Sequence, residues 1–158
     1  MIRTKIVGWP ALGRHLKRER SKGRRIVFTN GVFDILHAGH LKVLEWSKRQ
    51  GDVLVVGLNS DASVRRLKGP TRPIVPQGER ALMMAGLVPV DYVTLFSDDT
   101  PAKLIRMIKP DVLVKGGDWK PEAIVGAAEV KAWGGSVHSI PFRHQLSTTA
   151  LLAKIRRP

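Results

Sequence analysis

Apolar residues in this 158-residue chain gather in short continuous runs, and the stretches between them have helical spacing. Arg25–Thr29 is rich in β-branched and aromatic residues, the composition of a buried strand. Asp52–Leu58 (DVLVVGL), Asp91–Phe96, Asp111–Lys115 (DVLVK) and Ser136–Ile140 read the same way, and most are apolar throughout, as strands covered on both faces are. Helices are predicted at Pro10–Arg20 and Leu41–Gln50. A short one, capped by Asn59-Ser60-Asp61, runs to about Leu67, and Gln77–Leu87 packs through Leu82, Ala85 and Gly86. Thr100 and Pro101 open a helix with a Leu104, Ile105, Ile108 stripe that Pro110 ends. Pro121–Trp133 is read as one helix stopped by Gly134-Gly135, and Ser147 caps a last helix whose inward face is Leu151, Leu152 and Ile155. Lys68–Pro76 (KGPTRPIVP) is an ordered loop. Alternating strands and helices predict an α/β fold, a Rossmann-like parallel sheet of about five strands with helices on both faces. Residues 1–158 form a single domain, with 1–24 its basic N-terminal helical segment.

Composition changes this picture little. Apolar residues make up 43% and charged residues 25%, ordinary for a globular domain. The lack of cysteine excludes disulfides and thiol catalysis. No apolar run approaches membrane-spanning length, and the start MIRTKIVGWP lacks the apolar block of a secretory signal, so a cytoplasmic protein is expected. The net charge of +14 stands out. It fits nucleic-acid binding, an enzyme of phosphorylated substrates, or a solvated basic surface. Arg14–Arg25 holds many of the cations with few aromatics among them, so it reads as a solvated helix face; neither nucleic acid nor membrane is expected as a partner.

The candidate chemistry lies where the first strand meets the second helix. Asn30-Gly31 breaks the strand, Val32, Phe33 and Asp34 follow, and His37-Ala38-Gly39-His40 leads into a helix N-terminus. Backbone N–H groups and the positive end of the helix dipole converge at such a place, which therefore binds anions. Gly39 allows close backbone approach and the imidazoles can donate to phosphate oxygens. In an open parallel sheet, ligands bind beyond the carboxyl ends of the strands. The loops Asn30–His40, Asn59–Ser60, Lys115–Trp119 and Pro141–Thr149 share that rim. Gly116-Gly117-Asp118 offers a close turn and an acceptor for a ribose hydroxyl or base amine, and Ser147, Thr148 and Thr149 add hydroxyls at the last helix. Lys68 and Arg72 flank Gly69-Pro70 in a loop able to close over a polyphosphate, with Arg66 beside it and Arg80 a further cation on the next helix.

The H-x-G-H unit with a C-terminal S-T-T helix start resembles the HxGH nucleotidyltransferase superfamily. VFTNGVFDILHAGH, VGLNSDASVRRLKGPTRPI, DTPAKLI…PDVLVKGGDW and STTALL are similar to the D-glycero-D-manno-heptose 1-phosphate adenylyltransferase family of lipopolysaccharide inner-core synthesis, over nearly the whole chain from Arg25. In many bacteria that activity is fused to a sugar kinase, for which this chain has no room, so the resemblance implies the stand-alone form. It also implies attack of heptose 1-phosphate on the α-phosphorus of ATP, giving ADP-heptose and pyrophosphate. His37, His40 and Lys68 are then catalytic. Asn30, Gly31, Val32, Phe33, Gly39, Arg80, Gly117, Asp118, Ser147, Thr148 and Thr149 hold ATP, and Asp34, Arg66, Arg72 and Lys115 the sugar phosphate. Mg²⁺ arrives bound to ATP, with no protein-held metal site expected, and a homodimer is the superfamily's habit. The family carries Gly and then Arg or Cys before S-T-T, where this chain has Gln145-Leu146. Related glycerol-phosphate cytidylyltransferases carry an arginine where Phe142 stands, next to Arg143. A cytidylyltransferase for glycerol or ethanolamine phosphate is the alternative within the superfamily; a basic nucleic-acid-binding module is the alternative outside it.

Overall fold

In the computed structural model, which describes residues 1–141 and 147–155, the apolar runs form one five-stranded sheet, all parallel. Strands β1 (Ile26–Gly31), β2 (Val53–Asn59), β3 (Tyr92–Phe96), β4 (Val112–Gly116) and β5 (Ser136–Ile140) lie in the order β3-β2-β1-β4-β5. The chain moves outward from β1 to β3, then returns to β4 on the other side of β1. The β1/β4 boundary is thus the switch point, where loops diverge to opposite faces and leave a crevice. Thr29 of β1 pairs with Val114 there.

Helices α1 (Trp9–Ser21), α5 (Ala102–Ile108) and α6 (Ala127–Ala132) cover one face, burying Leu12, Leu16, Leu104, Ile105, Ile108 and Val130 against Phe28, Val55 and Leu113. On the other face, α2 (Ala38–Lys48) and α4 (Gln77–Gly86) set Val43, Leu44, Ala81 and Met84 on Val27, Val56 and Val114. Helices α3 (Asp61–Lys68) and α7 (Thr148–Ile155) complete the set. Gly57 in the middle of β2 is required by the first face: a Cβ there would lie 2.8 Å from Phe28 Cζ.

The free edge of β3 is covered. After a 3-10 turn at Ile2–Lys5, Ile6 bridges Val93 in parallel, the Val7 amide donates to the Val93 carbonyl at 2.9 Å, and Trp9 Nε1 donates to the Leu95 carbonyl at 2.9 Å. In α1, Glu19 is buried and ion-paired with Arg24 at 2.8 Å and Lys22 at 3.3 Å, so part of the basic segment neutralises an interior carboxylate.

Four local expectations are corrected. Pro121–Trp133 is not one helix but a 3-10 turn at Pro121–Ala123 and then α6, because Gly126 between them takes φ +86° with no room for a side chain beside Ile105. Helix α5 starts at Ala102 with Pro101 in the cap position and no capping side chain, so Thr100 is not the cap. The packing side of α4 is Arg80, Ala81, Met84 and Ala85, while Gly86 is exposed. No described residue of α7 is buried, and Ile155 is 73% exposed rather than inward.

Candidate active site

Helix α2 starts at Ala38, three residues before the spacing predicts, because His37 is its N-cap. The Gly39 amide donates to His37 Nδ1 at 3.1 Å, and the His37 amide donates to His40 Nδ1 at 3.4 Å. Two histidines thus form a reciprocal capping box in the positions Ser/Thr and Glu commonly take. The rings stack with centroids 3.9 Å apart, and His40 also meets the Phe33 ring at 5.2 Å. Burial lowers the pKa of His37; burial, and then the neighbouring His37, push His40 down to about 4. Both rings are therefore neutral near pH 7, and with each Nδ1 accepting from backbone, the ring hydrogen is placed on Nε2.

The loop leading into this pair is held from below. Phe33 has φ +48°, a conformation that costs energy for a side-chain-bearing residue, and lies over Gly31. Asp34, with a fully buried carboxylate, accepts from Arg72 Nε at 2.7 Å, the Ile74 amide at 2.9 Å and the Val75 amide at 2.8 Å. Burial alone pushes this carboxyl up, but the two amides and the Arg72 guanidinium outweigh it and hold it below the usual aspartate value. Arg80, fully buried, donates to the Val75 carbonyl at 2.9 Å, the Val32 carbonyl at 2.6 Å and Asp61 Oδ1 at 2.7 Å. These two residues fasten the 69–76 loop and the start of α3 to the β1–α2 loop.

A cavity of about 570 Å³ opens over the switch point, within the size range of small-molecule sites. It gathers Asn30, Gly31, Val32, Phe33, Asp34, His37, His40, Lys68, Arg72, Lys115, Ser147, Thr148 and Thr149, thirteen of the expected positions. Ser147 caps α7 through the Ala150 amide at 3.1 Å, and Thr148 Oγ1 donates to the Ile35 carbonyl at 3.3 Å, which docks this second helix start against the first.

Five expected residues stand off the wall. Gly39 is buried in the first turn of α2, where its amide serves His37. Arg80 stands behind the wall: its guanidinium donates to the Val75 and Val32 carbonyls and to Asp61 inside the protein. Arg66 is engaged by Asp99 at 2.8 Å and by the Ser97 carbonyl. Gly117 serves the sheet end, its amide donating to the Ile140 carbonyl at 2.8 Å, and Asp118 is exposed beyond it. The positions Phe142, Arg143, Gln145 and Leu146 lie outside the described residues.

The cavity also includes Asn59 and Trp119, which the sequence placed on the rim without a role, and Thr29, Asp99, Thr100, Pro101 and Ala123–Val125, which it did not single out. Asp99–Pro101 had a signal: they follow β3, whose carboxyl end belongs to the same rim as the four loops considered. Ala123–Val125 had none, because a continuous helix was expected there.

A crevice at the switch point of a parallel sheet, flanked by two helix N-termini and an imidazole pair, defines a Rossmann-type protein, and helix N-termini are places suited to anions. The chain belongs to the cytidylyltransferase-like family, whose model matches residues 28–154. It is 53% identical over 152 residues to the bifunctional protein HldE of Trichlorobacter lovleyi, covering 96% of this chain and 31% of that protein. The HldE of Wolinella succinogenes is likewise 53% identical over 152 residues. The chain thus spans about a third of the length of these curated relatives. The crystal structure of the lipopolysaccharide core biosynthesis protein from Thermoplasma volcanium is similar at 33% identity and TM-score 0.63, over 78% of this chain and all of that one. Pantoate-beta-alanine ligase from Francisella tularensis, at 16% identity and TM-score 0.58, shares the fold over 93% of this chain.

Proposed function

We propose that the chain is an adenylyltransferase moving AMP from ATP to D-glycero-D-manno-heptose 1-phosphate, with release of pyrophosphate. The observation that carries this reading is the stacked His37–His40 pair, its Nδ1 atoms tied to backbone, at the start of α2 over the switch point. A phosphate oxygen of the sugar phosphate forms a bond to the α-phosphorus, and the bond from that phosphorus to the bridging oxygen of the β-phosphate breaks. The acceptor is already an anion, so no general base is required. Positioning and charge stabilisation supply the rate. The Nε2–H groups of His37 and His40, the first amides of α7, and Lys68 receive the charge that builds on the leaving phosphates. Mg²⁺ enters with ATP in this reading; no cluster of three or more His, Cys, Asp or Glu suited to a metal occurs among the described residues.

The sugar is supported by the motifs shared with the heptose family, by HldE relatives matched over 96% of this chain, and by the lipopolysaccharide core biosynthesis protein matched over its full length. Incubation with each nucleoside triphosphate and a panel of sugar and polyol phosphates, followed by pyrophosphate detection, tests it. ATP with heptose 1-phosphate is the expected pair; preference for CTP with glycerol phosphate overturns it in favour of the second reading, which the cytidylyltransferase-like family favours. The reading includes the superfamily's homodimer, which sedimentation measures directly.

A further inference from the structure

The cavity extends onto both faces of the sheet. His37, His40 and the start of α7 stand on the side of α2. In β4, Val112 and Val114 belong to the core under α2 and α4, and Leu113 to the core under α1, α5 and α6. Side chains alternate along a strand, so Lys115 takes the side of Leu113. The wall there is Thr100, Pro101 and Ala123–Val125.

Lys115 is half-buried, and among the described residues its ammonium has neither a hydrogen bond nor an ion pair. Burial first, and then the like charge of Lys68, lower its pKa. The two carboxylates of the cavity are both engaged, Asp34 by Arg72 and Asp99 by Arg66. A desolvated cation beside another cation weakens the empty protein, and an anion entering the cavity relieves it. The triphosphate already has the imidazoles and two helix starts on the far side. In-line displacement needs the attacking and leaving oxygens on opposite sides of the phosphorus, and a cavity that straddles the strand ends provides two such sides.

Resting on the adenylyltransferase reading, we propose that Lys115 is the acceptor anchor, holding the phosphate of the incoming sugar 1-phosphate on the α5 side of the sheet. Of the four residues the sequence offers for that phosphate, Asp34 is bound to Arg72 and Arg66, off the lining, is bound to Asp99. Arg72 is bound to Asp34 on the other side, which among the described residues leaves Lys115 with its charge uncommitted. The short apolar wall beside it suits the C–H faces of a sugar ring.

Steady-state kinetics of Lys115→Met test this, with Lys115→Gln as the second variant should the first fail to fold. KM for the sugar phosphate is expected to rise about tenfold or more, the loss of one charge-assisted contact, with KM for ATP nearly unchanged. The melting temperature of the ligand-free variant is expected to hold or rise, whereas a structural lysine would lower it. A rise confined to the ATP KM, or no change in either, overturns the anchor and leaves the activity standing. If the wild-type protein turns over no sugar 1-phosphate, the functional reading fails. Calorimetry with inorganic phosphate as probe, on protein saturated with a non-hydrolysable ATP analogue, then decides Lys115 alone: binding lost in the variant supports the anion site, and equal binding overturns it.

Discussion

The His37 amide donates to His40 Nδ1 while the Gly39 amide donates to His37 Nδ1, so the two imidazoles cap their own helix and hold each other in place. Structure and chemistry therefore use different nitrogens of the same rings. His37→Asn separates them, since asparagine is a good N-cap but lacks the Nε2 donor. That variant is expected to melt close to wild type and to lose roughly two to three orders of magnitude in kcat. His40→Ala should lose as much in kcat, with ATP affinity falling less in both. Equal losses in kcat and affinity would assign the rings to ground-state binding.

The lowered pKa of His40 gives a pH signature. In the empty protein it titrates at about 4, against an ordinary 6.5. Between those values the unfolded chain binds a proton that the folded one does not, so stability falls as pH drops from 6.5 towards 4. Denaturation midpoints across that window should show the slope, and His40→Ala should flatten it. A bound triphosphate raises the pKa, so ATP binding at pH 5.5 should take up protons, read by calorimetry in buffers of different ionisation enthalpy.

Asp34 operates lower on the scale. Its folded pKa lies below the ordinary 3.8, so its contribution is present above that value and is lost as pH falls through the folded one. Asp34→Asn should lower the melting temperature at pH 7 and raise KM for ATP through the freed Arg72 loop. Proteolysis within residues 69–76, faster in the variant than in wild type, checks the cause.

Arg80→Met leaves Asp61 and two carbonyls without their partner. A loss of about 3 kcal/mol is expected, measured by urea denaturation, with little change in KM for ATP in the fraction that remains folded. A ligand-contacting arginine would do the reverse.

Lys68→Ala should raise KM for ATP roughly tenfold and flatten its dependence on salt, as removal of one charged phosphate contact does. Initial rates at several ionic strengths measure both.

The parallel sheet and its rim were readable because apolar runs and turn residues fix where strands end, and in a parallel sheet strand ends share one edge; the strand order was not. That is why His37, Lys115 and Ser147, far apart in the chain, could be brought together from the sequence. The state of each cation was not readable. Arg72, Arg80 and Lys115 look alike as letters; whether each is bound to Asp34, bound to Asp61 or left uncommitted depends on which way a long side chain turns, and spacing does not encode that. The break at Gly126 was hidden for a related reason: it answers to Ile105, a residue remote in sequence.

The segment from Lys5 to Trp9 runs as a selvedge along β3, meeting the outer strand through Val93 and Leu95 and, by Lys5 Nζ at 2.7 Å, the carbonyl of Val90. Removing residues 1–8 alone would strip most of that hem and bare a row of unpaired peptide groups to other molecules. A shortened form is therefore expected to precipitate on concentration even with every catalytic side chain in place.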